Sequence, residues 1–184
     1  MDVNSLDVKF KKWRNLKFYF PYGELTNKPM WRVAILTCID CRIVSSVFGI
    51  EDPGEAIIIR TAGALLTLDS LRSLLISVYE LNVNLIVVCG HTDCGGKMTE
   101  DHMNQLLSNI SQKASISREK VLHLLNSSNP TEAFRGFKDV KVQIQKTVES
   151  IREHPLISPT GVEVVGYIYE TTNGNLIKLE ERER

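Results

Sequence analysis

Apolar residues in this chain are gathered into short runs, and the segments between them carry helical spacing. Residues 33–37 (Val-Ala-Ile-Leu-Thr), 56–60 (Ala-Ile-Ile-Ile-Arg) and 85–89 (Leu-Ile-Val-Val-Cys) are five-residue runs rich in β-branched side chains. They are too short for buried helices and predict strands covered on both faces. Between the second and third runs, Leu71, Leu74, Leu75, Val78 and Leu81 recur at helical spacing, and Asp69 or Ser70 is placed to cap a helix ending near residue 81. Residues 97–130 are polar with two helical stripes, Met103, Leu106, Leu107 and Ile110, then Val121, Leu122 and Leu125. Asn126-Ser-Ser-Asn-Pro130 breaks that run, and residues 140–151 predict a third long helix. Residues 155–161 read as a loop and 162–169 as a fourth strand, with a hairpin signal at Thr172-Asn-Gly174 leading into 176–179.

Strands alternating with helices define an α/β class with a mostly parallel central sheet and helices on both faces. At 184 residues the chain is expected to form a single domain, 1–184. Residues 1–31 read as an N-terminal helical arm. Val8, Phe10, Trp13, Leu16 and Phe18-Tyr-Phe20 crowd it with apolar and aromatic groups, which suits packing on its own core or on a second copy of the chain.

Charge narrows the partners. Lys plus Arg and Asp plus Glu balance at 22 each, which argues against nucleic acid, since phosphate binding needs a basic excess. No apolar run approaches the roughly 20 residues of a membrane span, and the first 13 residues lack a signal-peptide core, so a cytoplasmic protein is expected. Four cysteines in such a chain point to metal binding or chemistry before disulfides.

Two polar clusters follow apolar strands. After residues 85–89 come Gly90, His91 and, at H-x-x-C spacing, Cys94, with Gly95 and Gly96 turning the backbone. After residues 33–37 come Cys38, Asp40, Cys41 and Arg42. In open parallel sheets ligands bind beyond the carboxyl ends of strands, and both clusters fall at that edge. Cys38, His91 and Cys94 make a Cys₂His set, the three-ligand pattern of catalytic zinc with one position left for water. Such a water has a pKa of about 7 and supplies hydroxide at neutral pH. Mixed thiolate and imidazole ligands suit zinc better than magnesium or calcium. Arg42 is spaced to hold the Asp40 carboxylate bidentately, and Asp40 could then accept a proton from that water. Cys41 leaves a second reading open. With it the set becomes Cys₃His, a closed site in a non-catalytic zinc-binding protein. An extended backbone after Cys38 would point Asp40 with it and Cys41 away, and no Gly or Pro favours a tight turn there.

Cys38-Ile-Asp-Cys-Arg42, Arg60-Thr-Ala-Gly63 and Gly90-His-Thr-Asp-Cys-Gly95 resemble the three signatures of the β-class carbonic anhydrases, most closely the compact type known from archaea. The resemblance covers roughly residues 30–180. It implies Cys38, His91 and Cys94 as zinc ligands and Asp40 and Arg42 as a catalytic dyad. The implied activity is the reversible hydration of carbon dioxide to bicarbonate by zinc-bound hydroxide. It also implies a parallel sheet with an added antiparallel edge strand, and dimers whose N-terminal helices embrace the partner. Carbon disulfide and carbonyl sulfide hydrolases resemble the same family and share its ligands, so hydrolysis of a sulfur analogue is an alternative. The chain departs from the family pattern at Cys41, usually Ser or another non-ligand, and at Thr61, usually Asn.

Overall fold

The computed structural model describes residues 22–180. The helical arm expected over 1–31 therefore lies mostly outside the described residues. Of its described residues, 22–31, only Tyr22–Glu24 are helical, as a single 3₁₀ turn, and 25–31 are turns and irregular chain.

The first apolar run forms β1, Val33–Cys38, with every residue from Ala34 onward buried. The second forms β2, Ile57–Thr61, and the third β3, Leu85–His91. Strands β4, Glu163–Tyr169, and β5, Leu176–Lys178, complete a sheet in the order β2-β1-β3-β4-β5. The first four strands are parallel, and β5 pairs antiparallel with β4 across the predicted hairpin. Gly174 supplies the left-handed residue of that turn, at φ 79°.

Helix α1, Leu68–Tyr79, connects β2 to β3. It starts earlier than the spacing suggests. Thr67 is the N-cap and Ser70 its reciprocal partner: Ser70 N–H donates to Thr67 Oγ1 at 3.2 Å, and Thr67 N–H to Ser70 Oγ at 2.8 Å. By sequence Tyr79 reads as a core residue next to the helix's apolar stripe; it instead closes the helix at the surface, where its hydroxyl donates to the Leu156 carbonyl at 2.8 Å. The polar connection after β3 holds α2, Glu100–Ala114, α3, Arg118–Leu124, and α4, Pro130–Phe134. Helix α5, Val140–Arg152, then leads to β4, capped by Asp139.

One side of the sheet presents Ala34 and Leu36 of β1, Ile86 and Val88 of β3 and Val164 of β4. Both α1, through Leu74, and α5, through Ile144, Val148 and Ile151, pack on that side. Two connections running in the same direction across a parallel sheet must lie on one face when crossovers are right-handed. The fit is close at Gly90, where a Cβ would stand 2.6 Å from Ile144 Cγ1. Among the described residues no helix is long and apolar enough to cross a membrane.

The chain steps from β1 outward to β2, then back across β1 to β3 and on to β4. The winding direction reverses between β1 and β3, so the connections leaving their carboxyl ends diverge and open a crevice there. Both polar clusters of the sequence sit at that point.

Candidate metal centre

Register places the parts. Thr37 of β1 is opposite Cys89 of β3, so Cys38 and His91 leave neighbouring strands at the same edge. Past His91, Thr92 is held by β4: its N–H donates to the Tyr169 carbonyl at 3.0 Å, and its hydroxyl bonds the Thr171 hydroxyl at 3.0 Å. Asp93 then adopts a left-handed conformation, φ 53°, and Cys94 follows it into the buried site.

Cys38, His91 and Cys94 come together, all buried, with their ligand atoms within 4.8 Å of one another. Cys38 Sγ and Cys94 Sγ are 3.8 Å apart. Two sulfurs bound at about 2.3 Å to one tetrahedral ion would stand at about that separation. His91 Nδ1 faces the Thr92 carbonyl at 2.8 Å, which assigns the proton of the neutral ring to that nitrogen. Nε2 is then the acceptor, and it is a buried side-chain atom without a hydrogen-bond partner. A buried orphan lone pair beside two thiols is what a metal-ligating imidazole presents. The donor set fits a zinc ion.

Electrostatics agrees with a cation at this position. The Cys94 thiol lies against Cys38 and draws its ionisation down, against the effect of burial. The same contact, reinforced by burial, pushes Cys94 up. Burial disfavours an imidazolium at His91, but Cys38 and Asp40 outweigh it and raise its pKa. The ligating forms are thiolate and neutral imidazole, so a metal bound here would release any proton these groups carry. Gly63 N–H donates to Cys38 Sγ at 3.3 Å, an outer contact to a ligand sulfur. Gly63 has φ 72°, and a Cβ there would meet the Phe137 ring at 2.6 Å. Phe137 also packs with Cys38, Cys94 and Ile43.

The loop after β1 does turn tightly, contrary to the extended path expected of it. Ile43 N–H donates to the Asp40 carbonyl at 3.1 Å, and Arg42 N–H to Asp40 Oδ1 at 2.9 Å. Asp40 supplies the turn that no Gly or Pro is present to favour. Cys41 sits exposed on its outer corner, outside the buried group. Arg42 curls back on Asp40, with Nε on Oδ1 at 2.9 Å and Nη2 on Oδ2 at 2.8 Å. These bonds hold the Asp40 carboxyl well below the usual carboxylate range. Its Oδ2 stands 3.7 Å from His91 Nε2. Arg60 ties the same loop to the sheet by donating to the Cys38 and Ile43 carbonyls. Thr61, the second departure from the family pattern, turns its hydroxyl to the Leu65 carbonyl at 2.8 Å.

Sequence reasoning missed Asp93. Arg42 Nη1 donates to its Oδ2 and Nη2 to its carbonyl oxygen, each at 2.9 Å. The only trace in the sequence was an acidic residue between the two halves of the H-x-x-C pair. Cys89 is a buried strand residue whose thiol burial pushes up to about 12. His102 and His123 lie exposed on helices, and His154 is half-buried after α5; none belongs to the site's group.

The carbonic anhydrase family model matches residues 33–176. The carbon disulfide hydrolase of Saccharolobus solfataricus is 30% identical over 190 residues, 96% of this chain and 90% of that protein. Beta-carbonic anhydrase 1 of Mycobacterium tuberculosis is 29% identical over 156 residues, covering 84% of this chain and 85% of its own. The crystal structure of β-carbonic anhydrase isoform I from Trichomonas vaginalis superposes with a TM-score of 0.81 at 26% identity, covering 100% of both chains. The chain belongs to the β-carbonic anhydrase family, whose members are zinc lyases.

Proposed function

We propose that this protein catalyses the reversible hydration of carbon dioxide to bicarbonate, with zinc held by Cys38, His91 and Cys94. The carrying observation is the buried, unpartnered Nε2 of His91 beside the two sulfurs. When bound, zinc supplies the Lewis acidity that brings a water's pKa to about 7. The chain supplies orientation. Asp40, kept ionised by Arg42, is an acceptor only; it takes the hydrogen bond of the attacking oxygen and turns a lone pair of that oxygen toward the carbon. Arg42 fixes Asp40 through both carboxylate oxygens, and Phe137 with Ile43 excludes water behind the sulfurs.

The alternative substrate, carbon disulfide or carbonyl sulfide, is favoured by one observation. The carbon disulfide hydrolase of Saccharolobus solfataricus matches 96% of the chain at 30% identity, against 84% at 29% for the Mycobacterium tuberculosis carbonic anhydrase. The closed Cys₃His reading is disfavoured by the exposed Cys41. Stopped-flow carbon dioxide hydration on zinc-loaded protein, run beside sulfide release from carbon disulfide, separates the three readings. Hydration without sulfide release is expected, and release without hydration would reverse the assignment. The reading extends to a homodimer formed through the aromatic arm, on the strength of the Phe10–Phe20 pattern, and working in the cytoplasm, where four free cysteines stay reduced. Size-exclusion chromatography with light scattering tests the dimer.

A further inference from the structure

We propose that Asp93 is a positioning residue: it anchors Arg42 from the far side and so keeps the Asp40 carboxylate turned away from the metal. The proposal rests on the hydration reading for its effect on rate, but not for its effect on geometry. Arg42 has two acidic neighbours from two loops. Asp40 takes Nε and Nη2 on one side, while the Asp93 carboxylate takes Nη1 and its carbonyl takes Nη2 on the other. All three side-chain nitrogens of the guanidinium are thereby occupied, and the fork has one orientation. Without the second anchor, Arg42 is a partly exposed side chain at the tip of a loop, 42% accessible, free to swing out and release Asp40. Asp40 Oδ2 is already 3.7 Å from His91 Nε2, so a released carboxylate lies within reach of an ion held by that nitrogen. It would then occupy the position that water needs.

The backbone supports the assignment. Asp93 holds a left-handed φ of 53°, a conformation that favours Gly or Asn. That conformation aims both its carbonyl and its carboxylate at Arg42. Asparagine would keep the conformation and lose the charge, which separates the two contributions.

The test compares zinc-loaded wild type, D93N and D93K by three measurements: zinc content, kcat for hydration at low and high salt, and calorimetric binding of azide, an anion that competes for the open metal position. With the side-chain charge 82% exposed, D93N should lose about two- to fivefold in kcat at low salt, and the difference should vanish at high salt. D93K places a like charge against Arg42; it should lose more than tenfold in kcat and bind azide at least tenfold more weakly at full zinc content. Wild-type kcat and azide affinity in zinc-replete D93K would overturn the proposal. If D93K fails to fold or to hold zinc, the salt-dependent deficit of D93N decides, and its absence overturns the proposal equally. If wild type itself does not hydrate carbon dioxide, the functional reading fails while the azide comparison still tests the anchor.

Discussion

The loop that follows β1 and the loop that follows β3 leave the same edge of the sheet, but different forces shape them. The β3 loop carries His91 and Cys94, both buried, and is fixed by strand pairing and by Thr92 on β4. The β1 loop sends one ligand, Cys38, into the interior and then runs outward through Asp40, Cys41 and Arg42, where hydrogen bonds between charged groups set its course. Burial makes the first arrangement rigid and intolerant. Charge makes the second adjustable, because partly exposed ion pairs are individually weak. The division suits the proposed function, in which the site would hold an ion and orient a proton acceptor beside it.

Four substitutions press on that division. The largest effect is expected from Cys94→Ser in the buried loop. It should abolish both zinc binding and turnover, and full zinc by metal analysis in that variant would defeat the ligand assignment. Next comes Asp40→Ala in the charged loop. It should keep zinc and lower kcat by about a hundredfold, the scale of a lost proton-handling group. Zinc loss in this variant would mean that the two loops are not separable. Gly90→Ala follows, overpacking Ile144 where β3 meets α5. Urea unfolding should show a loss of about 1–3 kcal/mol, and an unchanged midpoint would refute the close-packed reading. The smallest effect is expected from Cys41→Ser, which should leave zinc content and hydration rate at wild-type values. A loss of zinc would revive the closed Cys₃His site.

The strands and the convergence of Cys38, His91 and Cys94 were legible because both signals are local. Five apolar residues in a row mark a buried strand, and polar residues directly after it must lie at the strand's carboxyl end. The Asp40–Arg42 pair was legible from its two-residue spacing. The start of α1 was misplaced because Ser70 is as good a cap as Thr67 by composition. Only the reciprocal bond between them shows which is the cap and which the third helical residue. Tyr79 carries an apolar ring in an apolar stripe, and its hydroxyl, which decides its place, bonds a residue 77 positions away. Asp93 was missed for the same reason: its partner Arg42 lies 51 residues away and meets it only because β1 and β3 are neighbours.

The pairing of β1 with β3 sets the distance between Cys38 and His91 by backbone hydrogen bonds of the sheet, not by the ion. The relative position of those two ligands therefore belongs to the sheet. In small zinc domains, folding draws on the metal's binding free energy. Here the sheet leaves little ordering to be done, so nearly all of that free energy would be available as affinity. Zinc would then act on this protein as an ordinary ligand of a finished fold, raising the melting temperature by mass action and leaving, on chelation, an intact sheet ready to be filled again.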